Sequence, residues 1–489
     1  MFGSRAMKRV GSVAVALCGM AVVAPAADAA LISQGAVRMG VDALWSKSQL
    51  GQGETVAVLD LGFGGLDRSI ELGELPPRSE MDEISFDRAY GFDGRTAIGG
   101  PTQHGTRMAE IIHDIAPDAR LVLVNYHSQA EFSQAVDWII GQGIPIISHS
   151  NSFLTPPFDG TGPSARAVDR AAAAGVLWIN SAGNFAQRHW SGVPRPAGTA
   201  LPISPRPAEW LQFSLDGQGA AGRLTIERRD GAVWSEVAAT SAGGLTAAVR
   251  AQGGEAWRVV VRQLGGAPVE MEVFSRTVGF GVNAVPQGSV PTPGDAAGAL
   301  AVGAVRWTRT TIAPYSSQGP TDDGRPKPEV SAPTYINSNP EWPGTAGTSA
   351  ATAHVAGAAA LLRRLRAARG FPVEAAFLRA DLARAALDLG PDGYDMAFGA
   401  GQVRLDRTAP RVRARYSRAT RRLSVLARDA GTLRVVEVFV DGRRVARARR
   451  AALVRRLPRL PAGRHRVEVR AEDMAGNVGR RRLSVRGTP

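Results

Sequence analysis

Apolar and polar positions follow three different rhythms along the chain. Between about Val41 and Asp406, short uninterrupted apolar runs alternate with stretches of helical periodicity. Thr55–Leu59, Leu121–Val124, Ile144–Ile147 and Val176–Ile179 are such runs, and their continuity predicts strands buried on both faces. Thr106–Ile115, Glu131–Ile140 and Pro163–Ala174 carry apolar residues at helical spacing. The alternation predicts a parallel sheet with helices on both faces, which places its chemistry at the carboxyl ends of strands.

The second rhythm runs from about Ser191 to Ser275. Leu211–Leu215, Arg223–Glu227 and Trp257–Val261 are short alternating strands separated by glycine-rich turns, the pattern of a small antiparallel sandwich. The α/β pattern resumes at Ala299–Val305, so this segment is inserted into the first domain and leaves it soon after Asn184. It is therefore expected to border whatever site Asn184 belongs to. The third rhythm follows Asp406. Arg422–Leu426, Val435–Val440, the turn dipeptide Asp441-Gly442 and Arg464–Val469 predict a β-sandwich of immunoglobulin-like type. The predicted fold class is thus α/β, with an inserted β-sandwich and a C-terminal immunoglobulin-like β domain. The expected division is residues 1–29, a discontinuous α/β domain over 30–190 and 286–407, the insertion over 191–285, and the β domain over 408–489.

The first 29 residues change the picture of where the protein works. Arg5, Lys8 and Arg9 precede the apolar run Val10–Ala24, and Ala27-Asp28-Ala29 supplies a small-x-small cleavage site, which together predict an export signal. Only about two dozen residues separate Ala30 from Gly53, too few for an independent folding domain, so a mature N-terminus close to Ala30 is expected. The single cysteine, Cys18, lies inside the signal, which leaves no disulfide in the mature chain. No later stretch is apolar and long enough to span a bilayer.

Charge is unevenly placed. The net charge is +14, yet residues 411–489 alone carry 23 arginines against 6 acidic residues. In a sandwich the arginines cover the outside, as in Arg464-His-Arg-Val-Glu-Val-Arg470, where Arg466 alternates with Val467 and Val469. Such a surface predicts salt-sensitive attraction to anionic cell-envelope polymers and acidic proteins. Specific nucleic-acid recognition is not expected, because the aromatic residues that stack on single-stranded bases are missing.

Four polar residues stand at strand ends or helix starts. Asp60 ends the first buried run, in Val-Ala-Val-Leu-Asp60, where a carboxylate is placed to orient a histidine. Gly62 and Gly64 follow it, but Asp67 occupies the third position of a dinucleotide-binding loop, and none of the three lysines follows a glycine as a phosphate loop requires. His104, in Gln-His104-Gly-Thr, opens a helix, where the dipole favours the neutral imidazole that a general base needs. Ser349, in Gly-Thr-Ser349-Ala, opens another helix with little steric bulk around its hydroxyl. His354, one helical turn further, reads as a packing residue. Asn184, in Ser181-Ala-Gly-Asn184, could donate its amide to a developing oxyanion. Taken singly, Gly-Thr-Ser also reads as a helix cap and Asn184 as a turn residue.

Taken in order, Asp, His, Asn and Ser in these settings resemble the subtilisin-like (subtilase) serine peptidases, whose triad follows that chain order. Ile115-Ala-Pro-Asp-Ala-Arg-Leu121, Tyr315-Ser-Ser-Gln-Gly319 and Lys327-Pro-Glu-Val-Ser-Ala-Pro333 extend the resemblance over residues 41–190 and 286–407. It implies a subtilisin-like sheet and hydrolysis of protein or peptide substrates through an acyl-enzyme, with Asp60, His104 and Ser349 as triad and Asn184 as oxyanion donor. Substrate would bind extended along Ser150, Asn151 and Ser152 and along Ser181, Ala182 and Gly183. The resemblance also makes calcium an expected ligand, although no residue cluster assigns it and no cofactor is assigned.

The sequence departs from the family pattern at Leu61, where Thr or Ser usually follows the aspartate, at Arg107, where a second histidine is common, and at Ala353, usually proline. Ser150-Asn-Ser152 replaces the family's Ser-Leu-Gly substrate strand. None of these removes a reacting group. The alternative reading is an inactive subtilase-like scaffold that binds the envelope through its β modules.

Overall fold

The computed structural model describes residues 31–94, 100–241, 244–252 and 256–487, so the predicted export signal lies outside the described residues. At the centre is a nine-stranded sheet. From one edge its order is Ala386–Leu387, Gln402–Val403, Val330–Thr334, Ala299–Arg306, Leu177–Ser181, Ile146–His149, Thr55–Asp60, Arg120–Asn125 and Asp82–Ser85. All neighbours run parallel except the pair Ala386–Leu387 and Gln402–Val403. The chain starts at Thr55–Asp60, fills one side of the sheet, then crosses to Ile146–His149 on the other. That reversal opens a crevice above the carboxyl ends of the central strands.

The continuous apolar runs become strands because both faces are covered. Val56, Val58, Leu121, Leu123 and Ile179 pack on one face against Ile111 and Ile112 of the helix His104–Ile115 and Val355 and Ala358 of the helix Thr348–Ala368. Ala57, Leu59, Val122, Val124 and Trp178 face the other way, onto Phe132 and Val136 of Gln129–Gly141 and Val168 of Pro163–Ala173. One residue flips the face, as the two-residue strand period requires. The predicted run Ile144–Ile147 becomes a strand only from Ile146, because Pro145 has no N–H for the ladder. The edge strand Asp82–Ser85 escapes the pattern because it is only partly covered and has no apolar run.

Residues 31–54 join this core. Ala36, Met39 and Val41 are fully buried in it, beside the helices Gln34–Arg38 and Asp42–Trp45. Among its described residues the insertion forms eight strands in two four-stranded sheets, from His189–Gly192 to Met271–Ser275, closed around Leu211, Phe213, Leu224, Val259 and Val273. Its base packs Phe274 against Phe158 and Phe185, next to the Asn184 turn. The C-terminal domain has seven strands in sheets of three and four, around Leu423, Val436, Val438, Val467 and Val469. Its strands Leu433–Val440 and Arg443–Ala448 are joined by Asp441 and Gly442, both at positive φ, as a two-residue hairpin loop with the right twist demands.

Candidate active site

The carboxyl ends of four adjacent strands carry a row of buried polar residues. Asp60 is in register with Asn125, Leu59 with His149, and His149 with Asn180. Asn125 donates to the carbonyls of Gly91 and Phe92, fastening the loop beside the site. His149 links Tyr126, 2.8 Å from Nε2, to Asn180, 2.7 Å from Nδ1. Burial, only partly offset by Asn180, holds the His149 imidazole at about 4, so it stays neutral and supports its neighbours without exchanging protons near neutrality. Sequence reading passed over His149 and Asn180. The signal was there, since both end apolar runs just as Asp60 does.

Asp60 is almost completely buried and divides its carboxylate between two donors. Oδ1 accepts the Leu61 N–H at 2.7 Å, and Oδ2 lies 2.7 Å from His104 Nδ1. The His104 helix is brought there by two bonds to the loop after Asp60, Gly105 N–H to the Gly62 carbonyl and the Thr106 hydroxyl to the Gly64 carbonyl. Burial disfavours the His104 imidazolium, but the charge and hydrogen bond of Asp60 outweigh it, and the pKa ends above the ordinary value. The His104 side chain remains about a third exposed.

Ser349 is the second residue of the helix Thr348–Ala368, whose first four turns are buried and rich in alanine. Its hydroxyl donates to the Ser150 carbonyl at 3.2 Å, and among the described residues no hydrogen bond joins it to His104.

Asn184 is held by the same helix. Its Oδ1 accepts the Thr348 N–H at 2.9 Å and the Thr348 hydroxyl at 3.2 Å, which commits the oxygen and leaves Nδ2 as the outward-facing donor. Gly347, just before the helix, has φ of 113° and ψ of 161°, a conformation that side chains rarely adopt. A Cβ there would stand 3.4 Å from Asn184 Nδ2 and 3.6 Å from the Ser349 backbone nitrogen. The space vacated by the missing side chain therefore lies within reach of two N–H donors, one of them a first-turn amide with no helical acceptor. Gly347 was not singled out from sequence, where it read only as lack of bulk.

The two substrate segments differ. Asn151 and Ser152 continue beyond the paired strand Ile146–His149, are partly exposed, and take part in no backbone–backbone hydrogen bond among the described residues. Ser150 is buried under Ser349. Ser181, Ala182 and Gly183 are buried, and their backbone is engaged within the protein. Ala182 N–H bonds to Val302, Gly183 N–H to the Thr348 hydroxyl, and the carbonyls of Ser181 and Gly183 accept from Asn180 and Ser317. His354 is a packing residue, bonded to Ser33 and the Ala350 carbonyl and held neutral by burial. Leu61 and Arg107 sit at the rim, with the Arg107 guanidinium over the Trp342 ring.

Among the described residues two acidic clusters could hold a metal ion, Asp216 with Glu272 and Asp322, and Asp406 with Asp429 and Asp473; neither includes Asp60, His104 or Ser349. Among the described residues no helix is long and apolar enough to cross a membrane.

No curated protein matches the chain as a relative. Among solved structures, the CspB protease of Clostridium perfringens superposes with a TM-score of 0.58 at 16% identity, covering 76% of this chain and 97% of that one. A lanthipeptide protease gives 0.42 at 18% identity, over 76% of this chain and 91% of that one. The prenylagaramide maturation protease PagA gives 0.44 at 19% identity, over 75% and 96%. The first of these shows the shared fold. The family model described as Subtilase family matches residues 51–207 and 225–401, which include Asp60, His104, Asn184 and Ser349 and more than half of the sequence. On that match the chain belongs to the subtilase family of serine peptidases.

Proposed function

We propose that this subtilase is an exported endopeptidase that cleaves protein substrates through an acyl-enzyme on Ser349. The observation that carries the reading is the convergence of Asn184 Nδ2 and the Ser349 N–H on the space beside Gly347, together with a histidine already oriented by Asp60. Substrate lies extended along Asn151 and Ser152, whose backbone groups are free to pair with it. Ser181, Ala182 and Gly183 form the buried opposite wall. Ser349 rotates away from the Ser150 carbonyl and attacks the scissile carbonyl while His104 takes its proton. The oxyanion forms between Asn184 and the Ser349 amide, and His104 then protonates the leaving amine. Asp60 keeps the imidazole in the required tautomer and stabilises its charged form.

The bond from Ser349 to Ser150 favours one competing reading, an inactive scaffold whose serine never meets the histidine. A fluorophosphonate probe separates the two. Labelling of Ser349, prevented by Asp60→Ala or His104→Ala, is expected; a folded protein that stays unlabelled would establish the scaffold.

Calcium fits the oxygen-only acidic clusters, where it would add rigidity and take no part in the chemistry. The C-terminal domain is read as an electrostatic tether to anionic envelope polymers. Its edge strand Arg411–Ser417 presents Arg411, Arg413 and Arg415 in an exposed row, and their field extends about 8 Å at physiological salt. Changing these three arginines to glutamine is expected to lower the salt concentration that releases the enzyme from anionic envelope preparations. Release at an unchanged salt concentration would remove this face as the contact.

A further inference from the structure

Where the C-terminal β domain meets the catalytic domain, three carboxylates converge. Asp406 comes from the last turn of the catalytic domain, Asp429 from the loop after the strand Arg422–Arg428, and Asp473 from the end of the strand Gly463–Asp473. One oxygen of each lies within 4.8 Å of the others. Asp406 is 6% exposed and Asp473 1%, while Asp429 is half-buried. Asp406 Oδ1 accepts the Thr408 N–H, which leaves Oδ2 buried with no partner. Asp429 Oδ2 is likewise buried and unpartnered. A buried acceptor left without a donor is costly, and this cluster carries two.

Positive charge reaches the cluster through space, from Arg38 to Asp473 and from Arg404 to Asp473 and Asp406, without direct pairing. This domain holds 23 arginines, yet no arginine or lysine nitrogen pairs with any of the three carboxylates among the described residues. The nearby Arg38 and Arg404 are turned to the carbonyls of Met474 and Ala475 instead. Asn477 donates to both the Asp406 carbonyl and Asp473 Oδ2, so the frame around the cluster is held in place across the domain boundary.

We propose that Asp406, Asp429 and Asp473 bind a calcium ion that clamps the arginine-rich β domain to the catalytic domain. The donors are oxygen only, which selects a hard cation. Their irregular supply from separate segments, one of them a strand end, suits calcium, which tolerates variable geometry, better than magnesium, which demands a regular octahedron. Carbonyls or water complete the shell. Since the ligands come from both domains, the ion has no complete site once the domains part, and its binding energy opposes that separation.

Hydrogen exchange on the full wild-type chain, with calcium and with chelator, tests this directly. With free calcium at ten times Kd, opening of a coupled segment is suppressed about tenfold. The amides around Asp406, around Asp429 to Thr432 and around Asp473 to Asn477 are expected to show that protection together. Unchanged exchange in all three segments would overturn the proposal. Asp429→Asn, a half-buried and isosteric change, should lower the number of bound calcium ions by one in equilibrium dialysis and abolish that protection. A folded Asp429→Asn protein with full stoichiometry and protection would also overturn it. Both measurements are independent of peptidase activity, so a catalytically silent chain would still answer the question.

Discussion

Ser349→Ala is expected to lower hydrolysis of an unfolded protein such as casein by about 10⁶-fold, because nucleophile, base and orienting carboxylate act as a unit and the loss of the nucleophile forfeits nearly the whole of it. What survives is the oxyanion space and substrate binding, which alone give about 10³–10⁴ over water. The fold should tolerate the change. Ser349 donates one long hydrogen bond, 3.2 Å to the Ser150 carbonyl, and its loss costs about 1 kcal/mol. Alanine also suits the start of a helix whose following residues are already Ala350 and Ala351. Casein hydrolysis at the wild-type rate by the Ser349→Ala protein would end the triad assignment. Circular dichroism and thermal unfolding of the same sample show whether a loss of activity reflects chemistry rather than folding.

Asn184→Ala is the second large effect, about 10²–10³ in kcat, the usual worth of one oxyanion donor. KM should change little, because Nδ2 meets a charge that develops only as the carbonyl is attacked. Alanine also removes the Oδ1 acceptor from the Thr348 N–H and hydroxyl, which could shift the serine helix and imitate a loss of chemistry. Asn184→Asp resolves this, since the carboxylate keeps the acceptor and lacks the donor. Both variants are expected to be slow, with the Asp variant keeping normal thermal stability. If Asn184→Asp retains wild-type kcat, or if either variant raises KM with kcat intact, the amide is no oxyanion donor.

Much of the architecture could be read from near neighbours. Strands at Thr55–Asp60, Arg120–Asn125 and Leu177–Ser181 fall on predicted apolar runs, because a strand covered on both faces needs apolar residues at every position. The helices His104–Ile115 and Pro163–Ala173 follow from spacing in the same way. Asp82–Ser85 was hidden because its strand character comes from pairing with Arg120–Asn125 rather than from its own composition. The place of Asn151 and Ser152 just beyond a buried strand was legible from the sequence, whereas the internal commitments of Ser181–Gly183 were not, since their partners lie far away at Val302, Ser317 and Thr348.

The sequence by itself therefore determined the order of strands and helices, the presence of Asp60, His104, Asn184 and Ser349 at their ends, and the outward file of arginines after Asp406. Each of these depends on residues a few positions apart, through periodicity, caps and turns. Tertiary structure alone decided which way those side chains point and what they share. Thr348 commits Asn184 Oδ1 across 164 residues, Ser150 draws the Ser349 hydroxyl across 199, and Gly347 supplies the space between two donors from separate elements. Asp406, Asp429 and Asp473 look like scattered acids along the chain and become one buried cluster only when two domains close on each other. A hydrogen bond or a buried charge acts over a few ångströms of space, whatever the separation in sequence, so its partner becomes known only once packing has brought distant segments together.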